Sequence, residues 1–399
     1  MRNLLFALAP LALLGLAACS STSAARALPL AEPPRLLSVG SGTPPIEAAV
    51  DGARVVLVGE MHDRRAQHEF QRDVLERVAS KGGKFLLGME MFQRPAQPAL
   101  DDYVAGKIDE LEMMRRTEYY TRWSFDHTMY APMWRFCREH GGRVVALNPK
   151  GETNRKISRG GLASLSPEDR ADVAKDIDLT VAEHRKRIIA VFEAGAHKMP
   201  PEPLQRMYEA MTSWDETMAE SAAMALEAAG PESRMVIIAG TQHIQEYTGV
   251  AARLAKRVPG LEPLIIVCRS ADREDEGVTD AELGHFVVRC PDSAVGEAPK
   301  LGVGLGEPTP KGLPITGVVA DGIAAKYGIE TGDVITALGW AGGDMRPVLD
   351  MTFFKYALAE AHLHGGTLRL AGEHADGKPF AVTIDLRQAP AAPAQIAAL

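Results

Sequence analysis

Two short apolar runs, far apart in the chain, end in the same tetrapeptide pattern and constrain the architecture more than any other feature. Val55-Val56-Leu57-Val58 leads into Gly59-Glu60-Met61-His62, and Val236-Ile237-Ile238-Ala239 leads into Gly240-Thr241-Gln242-His243. A β-branched run ending in glycine and polar residues reads as a buried parallel strand followed by its exit loop. In open α/β sheets, ligands bind in the crevice at the carboxyl ends of the strands. The two histidines, about 180 residues apart in sequence, are therefore expected to meet in one cleft.

The chain between them alternates strand and helix patterns. Further strands are expected over 84–89, 143–147 and 264–267, with an edge strand over 285–289. Helices are expected over 67–80 and 130–140. A long helical insertion opens at Ser166-Pro167-Glu168, an N-cap followed by proline and acid, and breaks at Pro200-Pro201 before a second helix over 202–229. The expected fold class is α/β: a mostly parallel, doubly wound sheet with a helical insertion, followed by a small β-rich unit.

The N-terminus reads as a processing signal. Arg2 precedes an apolar stretch over 4–16, shorter than a typical membrane span, and Leu16-Ala17-Ala18-Cys19-Ser20 follows. Small residues before a lone cysteine resemble a bacterial lipobox, which implies a signal peptide over 1–18 and lipidation of Cys19. Ser20 after the cysteine resembles an outer-membrane sorting signal. Residues 19–44 are expected to form a lipidated tether, because 21–37 is rich in Ser, Ala and Pro. The net charge of -8 argues against nucleic acid as a partner. Of 4 cysteines, Cys137, Cys268 and Cys290 remain beside Cys19. Cys268 and Cys290 each end a strand-like run and are either bridged or, with Cys137, buried thiols.

Residues just past each expected strand form a candidate site. They are Glu60, His62 and Asp63; Glu90; Asn148; and Thr241, Gln242 and His243. Two imidazoles and a carboxylate such as His62, His243 and Glu90 suit a divalent transition metal with a position left for water, and a further Glu could act as general base. Each residue also has a plain reading, a hydrogen bond to loop backbone. Tyr119, Tyr120, Tyr130, Tyr208 and Tyr247 accompany Trp123 and Trp214 in and near the helices; such side chains can wall a flat apolar ligand, and a tyrosinate can ligate ferric haem. For any one of these tyrosines, ordinary helix packing with a hydrogen-bonded hydroxyl is the favoured reading.

In order along the chain, Gly59-Glu60-x-His62, Gly88-Met89-Glu90-Met91-Phe92, Arg122-Trp123 to Tyr130-Ala131-Pro132, Ala146-Leu147-Asn148, Trp214-Asp215-Glu216-Thr217-Met218-Ala219 and Gly240-x-x-His243 resemble the ChaN-like haem-binding lipoproteins of the Tiki/TraB superfamily. The resemblance covers 45–292. It implies an outer-membrane lipoprotein of bacterial iron acquisition that binds haem through tyrosine, with two subunits pairing around stacked haems. The wider superfamily includes metal-dependent peptidases and esterases, which implies a hydrolase alternative resting on Glu60, His62, Glu90 and His243. Thr241-Gln242 departs from the Arg-Gly often found there.

Beyond a linker at 291–299 the texture changes to short strands and many glycines, with strands expected over 301–305, 315–319, 333–337, 367–371 and 380–386. Leu301-Gly302-Val303-Gly304-Leu305 and Gly328-Ile329-Glu330-Thr331-Gly332-Asp333-Val334-Ile335 resemble a PDZ domain over 300–387. This implies that Leu301, Gly302 and Val303 take a peptide's terminal carboxylate from an envelope partner. Asp321-Gly322-Ile323-Ala324 and Trp340 depart from the usual pattern. Residues 388–399 are expected to be a loose tail.

Overall fold

The computed structural model describes residues 35–38, 45–193, 199–271, 280–291, 299–341 and 343–388. Cys19, the signal segment, most of the expected tether, the linker residues 292–298 and the tail from 389 lie outside them.

The first domain is built on one seven-stranded sheet: β1 (Arg35–Ser38), β2 (Val55–Glu60), β3 (Phe85–Gln93), β4 (Arg143–Asn148), β5 (Arg234–Gly240), β6 (Leu264–Ser270) and β7 (Phe286–Cys290). Their spatial order is β1-β7-β6-β2-β5-β3-β4. Six strands run parallel, and β1 pairs antiparallel with β7. Burial on both faces explains why the central strands read as continuous apolar runs rather than alternating ones. One core lies between the sheet and the helices Arg65–Ala79 and His127–His140. A second lies under the helices Pro201–Ala229 and Val250–Arg257.

Four features differ from the sequence reading. Residues 35–38, inside the expected tether, form β1 and cover the outer edge of β7, so the strand expected at the edge is interior. The helix opened by Ser166 is capped as expected, with Ser166 Oγ accepting from the Asp169 N–H at 3.2 Å, but it stops at Asp172. The Ala174 and Lys175 N–H groups there bond to Thr217 and Glu220 side chains instead of continuing a helix. Helicity resumes only at Ala182–Glu193. Lastly, β3 runs on through Glu90 to Gln93, with its register against β4 broken between Met89 and Gln93.

The C-terminal domain is a six-stranded antiparallel sheet: β8 (Val303–Leu305), β9 (Leu313–Val318), β10 (Val334–Trp340), β11 (Arg346–Pro347), β12 (Thr367–Glu373) and β13 (Pro379–Asp385). The helix Met351–Leu363 packs on it. Leu111, from the first domain's helix Glu110–Arg116, joins the core of this C-terminal domain. The two domains are thus in apolar as well as polar contact.

Strand β4 ends the first sheet, and its open side is covered by one side chain. Gln97 Oε1 accepts from the Ala146 N–H and its Nε2 donates to the Val144 carbonyl, both at 2.8 Å, imitating a neighbouring strand. Gln97→Ala leaves the Ala146 N–H and the Val144 carbonyl, both of buried residues, without these partners. It is expected to lower stability by about 1–3 kcal/mol, read as a lower urea midpoint with unchanged slope.

Candidate functional site

The parallel register sets Gly59 beside Ala239 and Glu60 beside Gly240, so the two tetrapeptides leave the sheet side by side. Strand β3 flanks β5 and delivers Glu90 to the same edge. Glu90 Oε2 accepts from the Gly240 N–H at 2.6 Å, and Glu90 Oε1 lies 3.5 Å from His243 Nε2. Gly240 is a point of close approach. A Cβ there would sit 2.9 Å from His62 Cε1 and 3.6 Å from Glu90 Oε2. Gly249 is required, since a Cβ would collide with the His243 carbonyl.

Each histidine is oriented by its own buried carboxylate. His62 Nδ1 is 2.7 Å from Glu60 Oε1, and His243 Nδ1 is 2.6 Å from Asp215 Oδ1. That leaves Nε2 of His243 toward Glu90 and the Cε1–Nε2 edge of His62 against Gly240. A carboxylate on one ring nitrogen fixes the orientation of the other, as it does around metal-ligating or proton-transferring histidines. His62 keeps 31% of its side chain exposed, whereas Glu60 is fully enclosed. The His62 ring lies edge-on to Trp123 at 4.6 Å and beside Phe125 at 5.0 Å. His243 packs on Trp214 at 5.0 Å, and Trp214 Nε1 donates to Asn148 Oδ1 at 2.5 Å. Asn148 therefore positions the wall of the cleft. Thr241 Oγ1 bonds the Glu60 carbonyl at 3.2 Å, the Gln242 carbonyl accepts from Arg187 at 2.7 Å, and Asp63 pairs with Arg64 at the surface.

The charges sort into ionised and neutral members. Burial disfavours the His62 imidazolium, but the Glu60 carboxylate outweighs it and holds the pKa at about 9. His243 is likewise raised against its burial by Glu90 and Asp215. Glu60 and Asp215, which burial alone would raise, are held below the ordinary carboxylate range by those imidazoles. Burial lowers two further histidines, His184 to about 4 and His68 in the same direction. His68 and Tyr130 both bond the His62 carbonyl at 3.2 Å. The cleft thus presents two carboxylate–imidazole pairs beside Glu90.

Sequence reasoning did not single out Asp215, His68 or His184 as site members. Asp215 had a signal: with Tyr208, Thr212 and Ala219 it lies on the buried stripe of the helix Pro201–Ala229, where a carboxylate needs a partner. The expected metal set is less compact than the spacing suggested. Among the described residues, the one group whose donor atoms all lie within 4.8 Å of one another is Glu110, His127 and Glu360, not His62, Glu90 and His243.

The tyrosines divide sharply. Tyr119, Tyr120, Tyr130 and Tyr208 are buried in the fold, and burial pushes the first three phenols well above their usual range. Tyr208 donates to the Leu179 carbonyl at 3.0 Å. Tyr247 alone among the five is exposed, at 39%, on the loop that follows the second Gly-x-x-His, with φ of 55° and its ring edge-on to exposed His285 at 5.0 Å. Leu301, Gly302 and Val303 lie in the C-terminal domain, at the start of β8.

This paired-motif α/β domain has known relatives. Residues 46–254, just over half of the chain, match the profile of the family described as haem-binding uptake, Tiki superfamily, ChaN, and the chain belongs to that family. It is similar to the protein RETICULATA-RELATED 5, chloroplastic, of Arabidopsis thaliana, 22% identical over 254 residues. That match covers 58% of this chain and 33% of the relative, so the chain spans about a third of that relative's length. Among solved structures it is similar to ChaN of Campylobacter jejuni with cofacially bound haem: 17% identity, TM-score 0.48, covering 61% of this chain and 90% of that one. It is also similar to the PDZ domain of the carboxy-terminal protease of Vibrio cholerae in complex with peptide: 25% identity, TM-score 0.19, covering 22% and 92%.

Glu60→Gln is expected to drop the His62 pKa from about 9 toward the ordinary histidine value, read by NMR titration of the ring. The linkage follows in sign. His62 is raised, so its contribution to stability is complete below about pH 6.5 and is lost as pH climbs toward 9. Glu60 is lowered, so its contribution holds above its ordinary value of 4.5 and is lost in acid below it.

Proposed function

We propose that the protein is a haem-binding component of bacterial iron acquisition, lipid-anchored through Cys19 in the cell envelope, with haem held at Tyr247. Membership of the haem-binding uptake family supports the ligand class. The observation that carries the residue assignment is accessibility: iron can reach the exposed phenol of Tyr247 without unpacking the core, and it cannot so reach the other four candidates. Haem, when bound, supplies a ferric iron that favours the phenolate; Tyr247 supplies the oxygen, from a loop fixed against β6 by the 3.0 Å bond of Arg269 to Gln245. Among the described residues no helix is long and apolar enough to cross a membrane, so in this reading attachment rests on lipid. Pairing of two subunits about their haems belongs to the same proposal. The C-terminal domain is read as a PDZ module. In the described sheet β8 is paired only with β9, and its other edge is where an envelope partner's C-terminal peptide would add a strand, with its carboxylate at Leu301–Val303.

Hemin titrated into the soluble chain is expected to give a shifted Soret band at stoichiometric ratios. Tyr247→Phe removes the shift, while Tyr119→Phe and Tyr208→Phe retain it. An unshifted spectrum for the unsubstituted chain overturns the ligand.

One observation favours a second reading, a metal-dependent peptidase or esterase. Glu60 and Asp215 orient His62 and His243 around Glu90, as a hydrolytic site requires. His62 holds its proton near neutrality and His243 is shifted in the same direction by Glu90 and Asp215, so a divalent ion must compete with protons and binding would be proton-linked. Zinc binding that strengthens steeply with pH and is lost in His62→Ala and His243→Ala is the expected result. Absence of zinc uptake at pH 9 removes this reading.

A further inference from the structure

The helix Met351–Leu363 of the C-terminal domain does more than complete that domain's core. Its Glu360 Oε1 lies 3.0 Å from His127 Nε2 and 2.8 Å from Arg135 Nη2. His127 Nδ1 is in turn 2.7 Å from the Tyr120 hydroxyl. Arg135 holds Glu110 as a bidentate partner at 2.5 and 2.7 Å, and Glu110 also accepts from Tyr356 of the same helix at 3.2 Å. Tyr356 stacks on His127 at 4.7 Å, Lys355 lies over the Tyr120 ring at 5.3 Å, and Arg115 donates to Asp350 at 2.9 Å. The guanidinium of Arg135 bridges the two carboxylates, so this cluster reads as a latch between domains rather than a metal centre.

The latch grips a segment that also shapes the cleft. Tyr120 and His127 bracket Trp123 and Phe125, whose rings pack on His62. Two residues in or next to that segment, Glu118 with φ of 52° and Ser124 with φ of 75°, hold left-handed backbone that non-glycine residues seldom adopt. Such conformations persist where the surroundings over-determine them. On the far side of the segment, Arg65 Nη2 donates to Thr128 Oγ1 at 2.9 Å, tying it to the helix that follows the first Gly-x-x-His.

We infer that docking of the C-terminal domain holds the 118–128 segment closed over His62, so that the position of the helix Met351–Leu363 controls access to the cleft. The partner of this device is the protein's own second domain, and a ligand that moves that helix would act on His62 through Tyr120 and His127. The inference is independent of whether the cleft serves haem, metal or hydrolysis.

Hydrogen–deuterium exchange on the full chain tests it. Glu360→Arg places a second cation beside Arg135 and is expected to raise exchange at least tenfold in peptides covering 110–116, 351–363 and 118–128. His62 ring resonances shift with it, while β2 and β5 stay protected. Tyr120→Phe, which keeps the fold and removes one bond of the latch, is expected to raise exchange in 118–128 by about fivefold. Faster exchange in 110–116 and 351–363 with 118–128 and His62 unchanged overturns the coupling. Unchanged exchange everywhere in both variants overturns the latch.

Discussion

The structure depends on one buried hydrogen bond, that of the Gly240 N–H to the Glu90 carboxylate at 2.6 Å. It joins the ends of two neighbouring central strands at the point where a third, β2, delivers Glu60. A buried carboxylate is tolerated only with partners, and removing one partner of such a set typically costs about 3–5 kcal/mol. Glu90 meets this with a backbone donor and His243, Glu60 with His62, and Asp215 with His243. Each carboxylate therefore depends on an imidazole, and each imidazole on the strand register that brings Gly59 and Gly240 to the same edge. A one-residue slip of β5 against β2 would leave charges unpaired in the interior.

Much of this was legible in sequence, for a physical reason. Strands buried on both faces must be apolar throughout, so β2, β5 and β6 stand out as unbroken runs, and polar residues directly after them mark the cleft. Residues 35–38 were not legible as a strand, because an edge strand of four residues carries no run of its own. Asp215 sits mid-helix, where composition does not say which neighbour it faces. The tyrosines show the limit most plainly: Tyr119 and Tyr247 are chemically identical in sequence, and only packing puts one at 0% and the other at 39% exposure. The latch joins residues 233 apart, His127 and Glu360, on elements that each look like ordinary amphipathic helix.

Haem chemistry and the histidine cleft need not share atoms. Tyr247 contacts His285, just before β7, whereas His243 turns toward Glu90 and His62 toward Glu60 and Gly240. A phenol at the surface and two imidazoles within, each paired to a buried carboxylate, suit different tasks. In the proposed reading the first would hold an iron already carried by its own macrocycle, and the second would offer ring N–H groups to an anionic or carbonyl group entering the cleft.

Strain supplies a reason for the cost of so much buried charge. Among the described residues, four non-glycine residues have positive φ: Glu118 and Ser124, on the segment whose Trp123 and Phe125 pack on His62, and Glu246 and Tyr247 after His243. All four lie in or next to segments that flank the Gly-x-x-His exits. Left-handed backbone at such residues costs of order 1–3 kcal/mol each. Apolar packing alone is weakly directional and would let these loops relax. Ion pairs and hydrogen bonds with fixed geometry do not, since relaxing the loop would orphan a buried charge. The ionic groups at this sheet edge are therefore best understood as what keeps two strained loops in place, one presenting the aromatic wall of His62 and the other presenting Tyr247.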